Sequence, residues 1–288
     1  MENKFKKGAF LLGGLALTAA AAGFVYYQNN ALQVTRYEYV NEELPFGFDG
    51  YKILHISDLH NKNFGADQYR LVQKMYDQMP DAIVITGDLI DSRRTDFNKA
   101  CEFIRGALLV APVYYVAGNH EFRSQKYENL VGMLTDLGVT VLDQNCVVLK
   151  AGEDTISLMG MKDPAFYNGD YEEQLAALAG QTGGFKILLS HRPEKMDLYA
   201  HLGIDLVFAG HAHGGQVRLP GVGGLLAPHQ GFFPKYSGGM YRKDKTTLVV
   251  SRGLGNSAVP VRVFNRPQLV TVTLHAYSRE QEQYYGEC

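Results

Sequence analysis

Tryptophan is absent from the 288 residues, and cysteine occurs three times, at Cys101, Cys146 and Cys288. The thiols are far apart and form no CxxC pair, which argues against a cysteine-rich zinc site and against a disulfide framework. An excess of one charge is also missing, with 28 Lys and Arg against 30 Asp and Glu. A nucleic-acid scaffold usually shows a basic excess or stripe, so no nucleic-acid partner is expected. The chain has neither an internal repeat nor a low-complexity block, and it is long enough to bury a substantial core. With so few thiols, any metal must be held by His, Asp and Asn.

Charge is scarcest at the N-terminus. Lys4, Lys6 and Lys7 precede an uncharged run from Gly8 to Tyr27. Twenty helical residues can just cross a bilayer core, and the lysines favour a cytoplasmic start. Residues 1–30 therefore read as a signal anchor, with cleavage near Ala19–Ala22 as the competing reading. Both place the remainder outside the cytoplasm. Residues 31–49 read as a linker and edge strand, and residues 50–288 as the main globular domain.

Five apolar, strand-like runs each end in ligand-type residues. Tyr51–Ser57 runs into Asp58-Leu59-His60, and alternation in an extended segment would place Asp58 and His60 on one side. Asp81–Thr86 leads to Gly87-Asp88 and Asp91; a carboxylate beside glycine is suited to bridging two cations. Val113–Val116 precedes Gly118-Asn119-His120-Glu121, and Phe185–Leu189 precedes Ser190-His191-Arg192-Pro193. Leu206–Ala209 ends in Gly210-His211-Ala212-His213-Gly214-Gly215-Gln216. Helical patterns fall at 65–79, 97–109, 127–137, 172–178 and 195–202, and the Gly- and Pro-rich stretch Pro220–Gly239 reads as a long loop of a type often functional. In layered α/β sheets ligands bind beyond the carboxyl ends of strands.

The series Asp58-x-His60, Gly87-Asp88-x-x-Asp91, Gly118-Asn119-His120-Glu121, His191 and Gly210-His211-x-His213 resembles the calcineurin-like metallophosphoesterases, in particular their bacterial membrane-associated and exported branch. The resemblance spans Tyr51 to Leu274 and implies a four-layer α/β/β/α sandwich, here preceded by one transmembrane helix. It implies Asp58, His60 and His213 on one metal, Asn119, His191 and His211 on the other, and Asp88 bridging them. The metals would be Mn, Fe or Zn. His120 would face the substrate phosphate without binding metal.

That chemistry suits the residues. Two cations roughly 3.5–4 Å apart lower the pKa of a bridging water and neutralise the phosphoryl oxygens it attacks. Mixed N and O ligands fit Mn, Fe or Zn better than Ca or Mg. His120, adjacent to Asn119, is expected near the second metal as a hydrogen-bond donor or general acid. Asp91, Glu121 and His55 are candidates for orienting imidazoles, although His55 inside its strand suits a core position. His201, His229 and His275 have no partner pattern. Arg192 fits a surface salt bridge better than a phosphate contact, and Asp163 either caps the turn before Pro164 or touches substrate. The expected partner is a phosphate ester, with a lipid- or wall-polymer-linked one suiting the anchor. Two rival readings are a pyrophosphate hydrolase of the UDP-2,3-diacylglucosamine type and a wall-binding protein that uses the basic stretch Pro220–Lys245 with little catalysis.

Overall fold

The structure, a computed structural model, describes residues 2–256 and 260–277, with backbone alone for 2–13. Helix α1 (Glu2–Asn30) leads into β1 (Gln33–Asn41) and β2 (Lys52–Ile56). Then come α2 (Tyr69–Tyr76), β3 (Ala82–Thr86), α3 (Phe97–Leu108), β4 (Val113–Val116), α4 (Asn119–Ser124), α5 (Tyr127–Leu137) and β5 (Thr140–Val141). The second half runs β6 (Asn145–Ala151), β7 (Asp154–Gly160), α6 (Tyr171–Gln181), β8 (Lys186–Leu189), α7 (Met196–His201) and β9 (Leu206–Ala209). Four short strands follow, β10 (Arg218–Leu219), β11 (Gly223–Gly224), β12 (Leu226–Ala227) and β13 (Gly231–Phe232). The last strands are β14 (Gly239–Lys243), β15 (Thr246–Val250) and β16 (Gln268–Ala276).

Strand alternation builds the layers. In β3, Ile83 and Ile85 face one way, onto a core with Leu71, Phe103, Ile104 and Leu130 from α2, α3 and α5. Val84 between them faces the other way, against Ile187, Leu206, Phe208 and Val249 of a second sheet. Leu188, Val207 and Leu248 of that sheet turn outward to Leu175 and Tyr199 of α6 and α7. The result is helix, sheet, sheet, helix. Each of these fully buried aliphatic side chains contributes roughly 1.5–3 kcal/mol.

The first sheet has the order β1-β16-β2-β3-β4-β5 and the second β14-β15-β9-β8-β7-β6. Strands β2, β3 and β4 are mutually parallel, as are β8, β9 and β15. The carboxyl ends of both parallel sets meet at one edge of the sandwich, where the site lies.

Several segments differ from the sequence reading. The helix expected from Gly65 starts at Tyr69, because Asp67 and Gln68 take left-handed backbone conformations and buried Gln68 bonds Phe64 N and Lys62 O instead. The stretch Pro220–Gly239 contains the hairpins β10–β11 and β12–β13. Among the described residues no helix is long and apolar enough to cross a membrane. Lys4, Lys6, Lys7 and the start of the uncharged run have side chains outside the described residues, as Cys288 is outside them altogether. From Gly14 to Phe24 the side chains of α1 are exposed. Its foot is docked: Gln28 Oε1 accepts from Asn265 N at 3.2 Å, Asn29 Oδ1 from Asn256 Nδ2 at 2.8 Å, and the Asn29 carbonyl from Lys62 Nζ.

Candidate metal centre

The turns after the strands position the side chains. Strand β2 stops at Ile56, and Asp58 and His60 then take positive φ of 53° and 49°. They reach one point through a left-handed turn, not through the alternation of an extended segment. Asp88, His211 and His213 are left-handed too, at φ 52°, 65° and 48°. Such conformations cost of the order of 1–3 kcal/mol each and persist only where the surroundings over-determine them. Here they are over-determined. Asp58 N donates to Gly87 O and His60 N to Asp88 O, both at 3.0 Å, and the Asp58 carboxylate accepts from His211 N at 3.2 Å. Gly210 permits that approach: a Cβ there would lie 1.8 Å from Ser57 Oγ and 2.6 Å from Asp58 Oδ2.

Two buried clusters share one carboxylate. Asp58, His60, Asp88 and His213 each offer a ligand atom, all within 4.8 Å of one another, and so do Asp88, His191 and His211. In the first, His60 Nε2 lies 3.2 Å from His213 Nε2 and 3.6 Å from Asp88 Oδ2, and His213 Nε2 lies 3.4 Å from Asp58 Oδ1. In the second, His191 Nε2 lies 3.1 Å from His211 Nδ1 and 3.3 Å from Asp88 Oδ2. Asn119 Oδ1 is buried without a hydrogen-bond partner, while the next residue's N–H donates to Asp88 Oδ1 at 2.8 Å. Converging imidazole nitrogens, shared carboxylate oxygens and an orphaned amide oxygen fit two transition-metal ions. The tautomer fits as well: His191 Nδ1–H donates to Thr86 O at 2.7 Å, leaving Nε2 as the open donor atom.

Burial lowers His60 to about 4 and pushes His211 and His213 well below the usual imidazole range, so these rings are neutral. Burial raises Asp58 to about 6, against the lowering influence of His191. His191 is the exception. Burial would lower it, but Asp88, Asp58 and Asp163 carry it up to about 10.

His120 stands against the shared carboxylate, its backbone N–H donating to Asp88 Oδ1 at 2.8 Å. Its ring packs against His60 of the first cluster, with centroids 4.5 Å apart. Its Nδ1 accepts from Ser92 N at 3.1 Å, so the neutral ring carries its proton on Nε2. Asp91 Oδ2 lies between His60 Nδ1 and His120 Nδ1, at 3.8 and 3.9 Å, too far for a hydrogen bond to either. Its other oxygen accepts from Arg93 N at 2.8 Å, so it shapes the loop. Glu121 orients backbone, not imidazoles: its carboxylate accepts from Asp88 N, Ile90 N and Gly118 N at 2.8, 3.1 and 2.7 Å. His55 lies in the core on Thr86 Oγ1 at 2.7 Å, away from both clusters.

Four residues were missed or misread. His229 Nδ1 lies 2.8 Å from His211 Nε2 and 2.6 Å from Arg192 Nη1. Arg192 is no surface residue; its guanidinium is buried on Asp163, with Nη2 to Oδ1 at 2.9 Å and Nε to Oδ2 closer still. Asp163 also caps the turn, accepting from Ala165 N. Asn265 Nδ2 donates to His213 O and Gln216 O at 2.7 and 2.9 Å and floors the last ligand turn. Fully buried Arg262 ties that floor down through Gly255 O, Arg252 O and Asn265 O. Only the functional look of the Pro220–Gly239 loop pointed toward any of these residues. A separate hollow of about 580 Å³ by Tyr39, Asp205 and Arg242 holds no residue of either cluster.

Two packed sheets whose strand ends converge on a carboxylate shared by two imidazole clusters define a metallophosphoesterase fold. The family model for calcineurin-like phosphoesterases matches residues 51–215, and the chain belongs to that family. It is similar to the uncharacterized metallophosphoesterase YkuE of Bacillus subtilis, with 30% identity over 95% of this chain and 97% of that one. A transmembrane protein with metallophosphoesterase domain from Danio rerio is 30% identical over 95% of this chain and 65% of its own length. Phosphodiesterase YaeI of Escherichia coli is 27% identical over 92% and 97%. The chain is a phosphoester hydrolase.

Proposed function

We propose that the chain is a dinuclear metal-dependent phosphoesterase, tethered to a membrane by α1 with its hydrolase domain outside the cytoplasm. The observation that carries the reading is Asp88, whose Oδ2 lies within reach of both His60 and His191. Asp58, His60 and His213 would hold one ion, Asn119, His191 and His211 the other, and Asp88 both. The donor set favours Mn, Fe or Zn. When bound, such ions supply Lewis acidity toward phosphoryl oxygens and lower the pKa of water between them. The protein's part is to orient and to move a proton. Ser92 fixes the His120 ring with its proton on Nε2, available to a phosphoryl oxygen or a leaving group. The uncharged run Gly8–Tyr27 supports the tether, as does the Danio rerio relative's description as a transmembrane protein. The description of the Escherichia coli relative as a phosphodiesterase supports a diester substrate.

The test uses the full chain purified in detergent. Two transition-metal ions per chain and hydrolysis of a chromogenic phosphate ester are expected; fewer than two ions, or no hydrolysis of either a mono- or a diester, overturns the reading. A reporter that is active only outside the cytoplasm, fused after Cys288, should be active. Activity of a cytoplasm-only reporter there would reverse the orientation.

A further inference from the structure

The hairpin β12–β13 faces two environments. Its tip carries His229 onto the ligand-type residue His211. Its base pairs Leu226 directly with Phe232, both exposed, Phe232 by 71%, and adjoining Phe233 is 62% exposed. The neighbouring hairpin β10–β11 adds exposed Leu219 and, in its turn, Val222 at 64%. Contiguous large apolar side chains beside a polar site mark an interaction surface.

The attachment of these hairpins indicates the occupant. Leu225 N donates to Gly215 O and Val217 O, so the hairpins hang on the His211–Gln216 turn. Asn265 supports the same turn, and Asn265 N donates to Gln28 in the foot of α1. Next to it, Phe264, 54% exposed, packs edge-on against Phe24 of α1 at 5.5 Å. Above that foot, residues 14–24 are exposed and uncharged, and Thr18, the one polar residue among them, turns its hydroxyl back onto Gly14 O. A helix stretch with no polar face belongs in lipid or in a protein core, and among the described residues no core covers this one. Exposed Lys235, two residues past Phe233, and Arg266, whose guanidinium lies on Tyr27 in the foot of α1, add positive charge suited to anionic headgroups.

We infer that the β10–β13 hairpins rest on the same lipid bilayer that receives α1, and that the substrate is the phosphate ester of an amphiphile presented at that surface. The inference rests on the tethered-phosphoesterase reading and names its substrate class. Leu226, Phe232 and Phe233 would take the apolar part of the amphiphile, and His229 would bring the same hairpin onto the site.

The absence of tryptophan supplies the test. Phe232→Trp in the full chain gives a single indole at the hairpin base; Leu109→Trp places one beyond the end of α3, before β4 and away from the strand ends of the site. Each variant is mixed with vesicles of neutral and anionic phospholipid, with and without brominated acyl chains. Blue-shifted emission and bromine quenching are expected for Phe232→Trp and not for Leu109→Trp. Emission from Phe232→Trp that ignores the vesicles overturns the inference, as does quenching only after a second copy or another protein is bound. A kinetic arm uses Phe232→Ser/Phe233→Ser. A water-soluble chromogenic ester should be hydrolysed within about twofold of wild type, and a phosphate ester of a diacyl lipid in vesicles at least about tenfold more slowly. Equal effects on both esters overturn the substrate class. Wild type inactive on the soluble ester would instead sink the phosphoesterase reading, while the fluorescence arm would still decide the surface.

Discussion

The two halves of the metal centre are braced differently. On the first sheet, the turns carrying Asp88 and Asn119 are held by Glu121, two residues from Asn119, through three backbone N–H groups. On the second sheet, the turn carrying His211 and His213 is met by Asn265 and His229, with Arg262 behind Asn265, all from later in the chain. The first half is therefore braced by a residue of the ligand motifs themselves, Glu121, reaching back 33 residues to Asp88. The second half depends on residues outside those motifs and later in the chain, and the two meet where Asp58 accepts His211 N–H. Metal affinity should consequently be lost in different ways from the two sides.

The largest effect should come from the residue common to both. Asp88→Asn should empty both ion positions and lower kcat/KM by at least ~10³, given the several kcal/mol that metal ions contribute to such transition states. Metal counting checks it against Asn119→Ala, which should empty mainly one position. Retention of two ions by Asp88→Asn would break the shared-carboxylate assignment.

His120→Ala should lower kcat and kcat/KM together by roughly 10²–10⁴ while metal content stays at wild-type level. An activated phenol leaving group should shrink the loss if the ring protonates the leaving group. A loss independent of leaving group assigns it to a phosphoryl oxygen, and loss of an ion would make His120 a ligand.

Asn265→Ala sharpens the comparison itself. It strips the buried carbonyls of His213 and Gln216 of a donor, so metal affinity should fall roughly 10–100-fold, mainly at the His213 position. Residual metal bound normally at the His213 position, with the other emptied, would reverse the proposed division of labour.

The smallest signal is a proton count. Without metal, His191 is held protonated up to about 10, whereas a ligand must be neutral. Loading at about pH 8 should therefore release about one proton from this ring, and apparent affinity should rise with pH until about pH 10. Calorimetry in buffers of different ionisation enthalpy measures it. A value near zero would mean that His191 is already neutral.

The same division explains what the sequence made legible. Short apolar runs alternating with helical stretches made the strands and helices legible, the four layers were implied by the family resemblance, and every residue of the two clusters stands directly after an apolar run. Spacing alone misplaced the cause for Asp58 and His60, since left-handed turns are written in no periodicity. It named no partner for His120, which is chosen by the fold of the Ser92 loop. His229, Asn265 and the Arg192–Asp163 pair were illegible because each acts on a residue at least 18 positions away, through contacts that no local pattern encodes. The anchor was read from composition alone, and most of the charged flank on which its direction rests lies outside the described side chains.

Strand β16 has a consequence for the order in which the molecule can be made. It lies between β1 and β2, pairing with β1 over nine residue pairs, and among the described residues β1 has no other strand neighbour. Strand β1 thus waits for β16, made much later, before it can join the sheet. Asn265 stands immediately upstream of β16, so the floor under His213 arrives in the same final stretch. A growing chain that has already produced all of Asp58 through His213 would carry every ligand-type residue and still lack the support that holds the last of them. Full metal affinity at that position would await Asn265, and a product truncated before it should bind the ion roughly 10–100-fold more weakly than the longer chain.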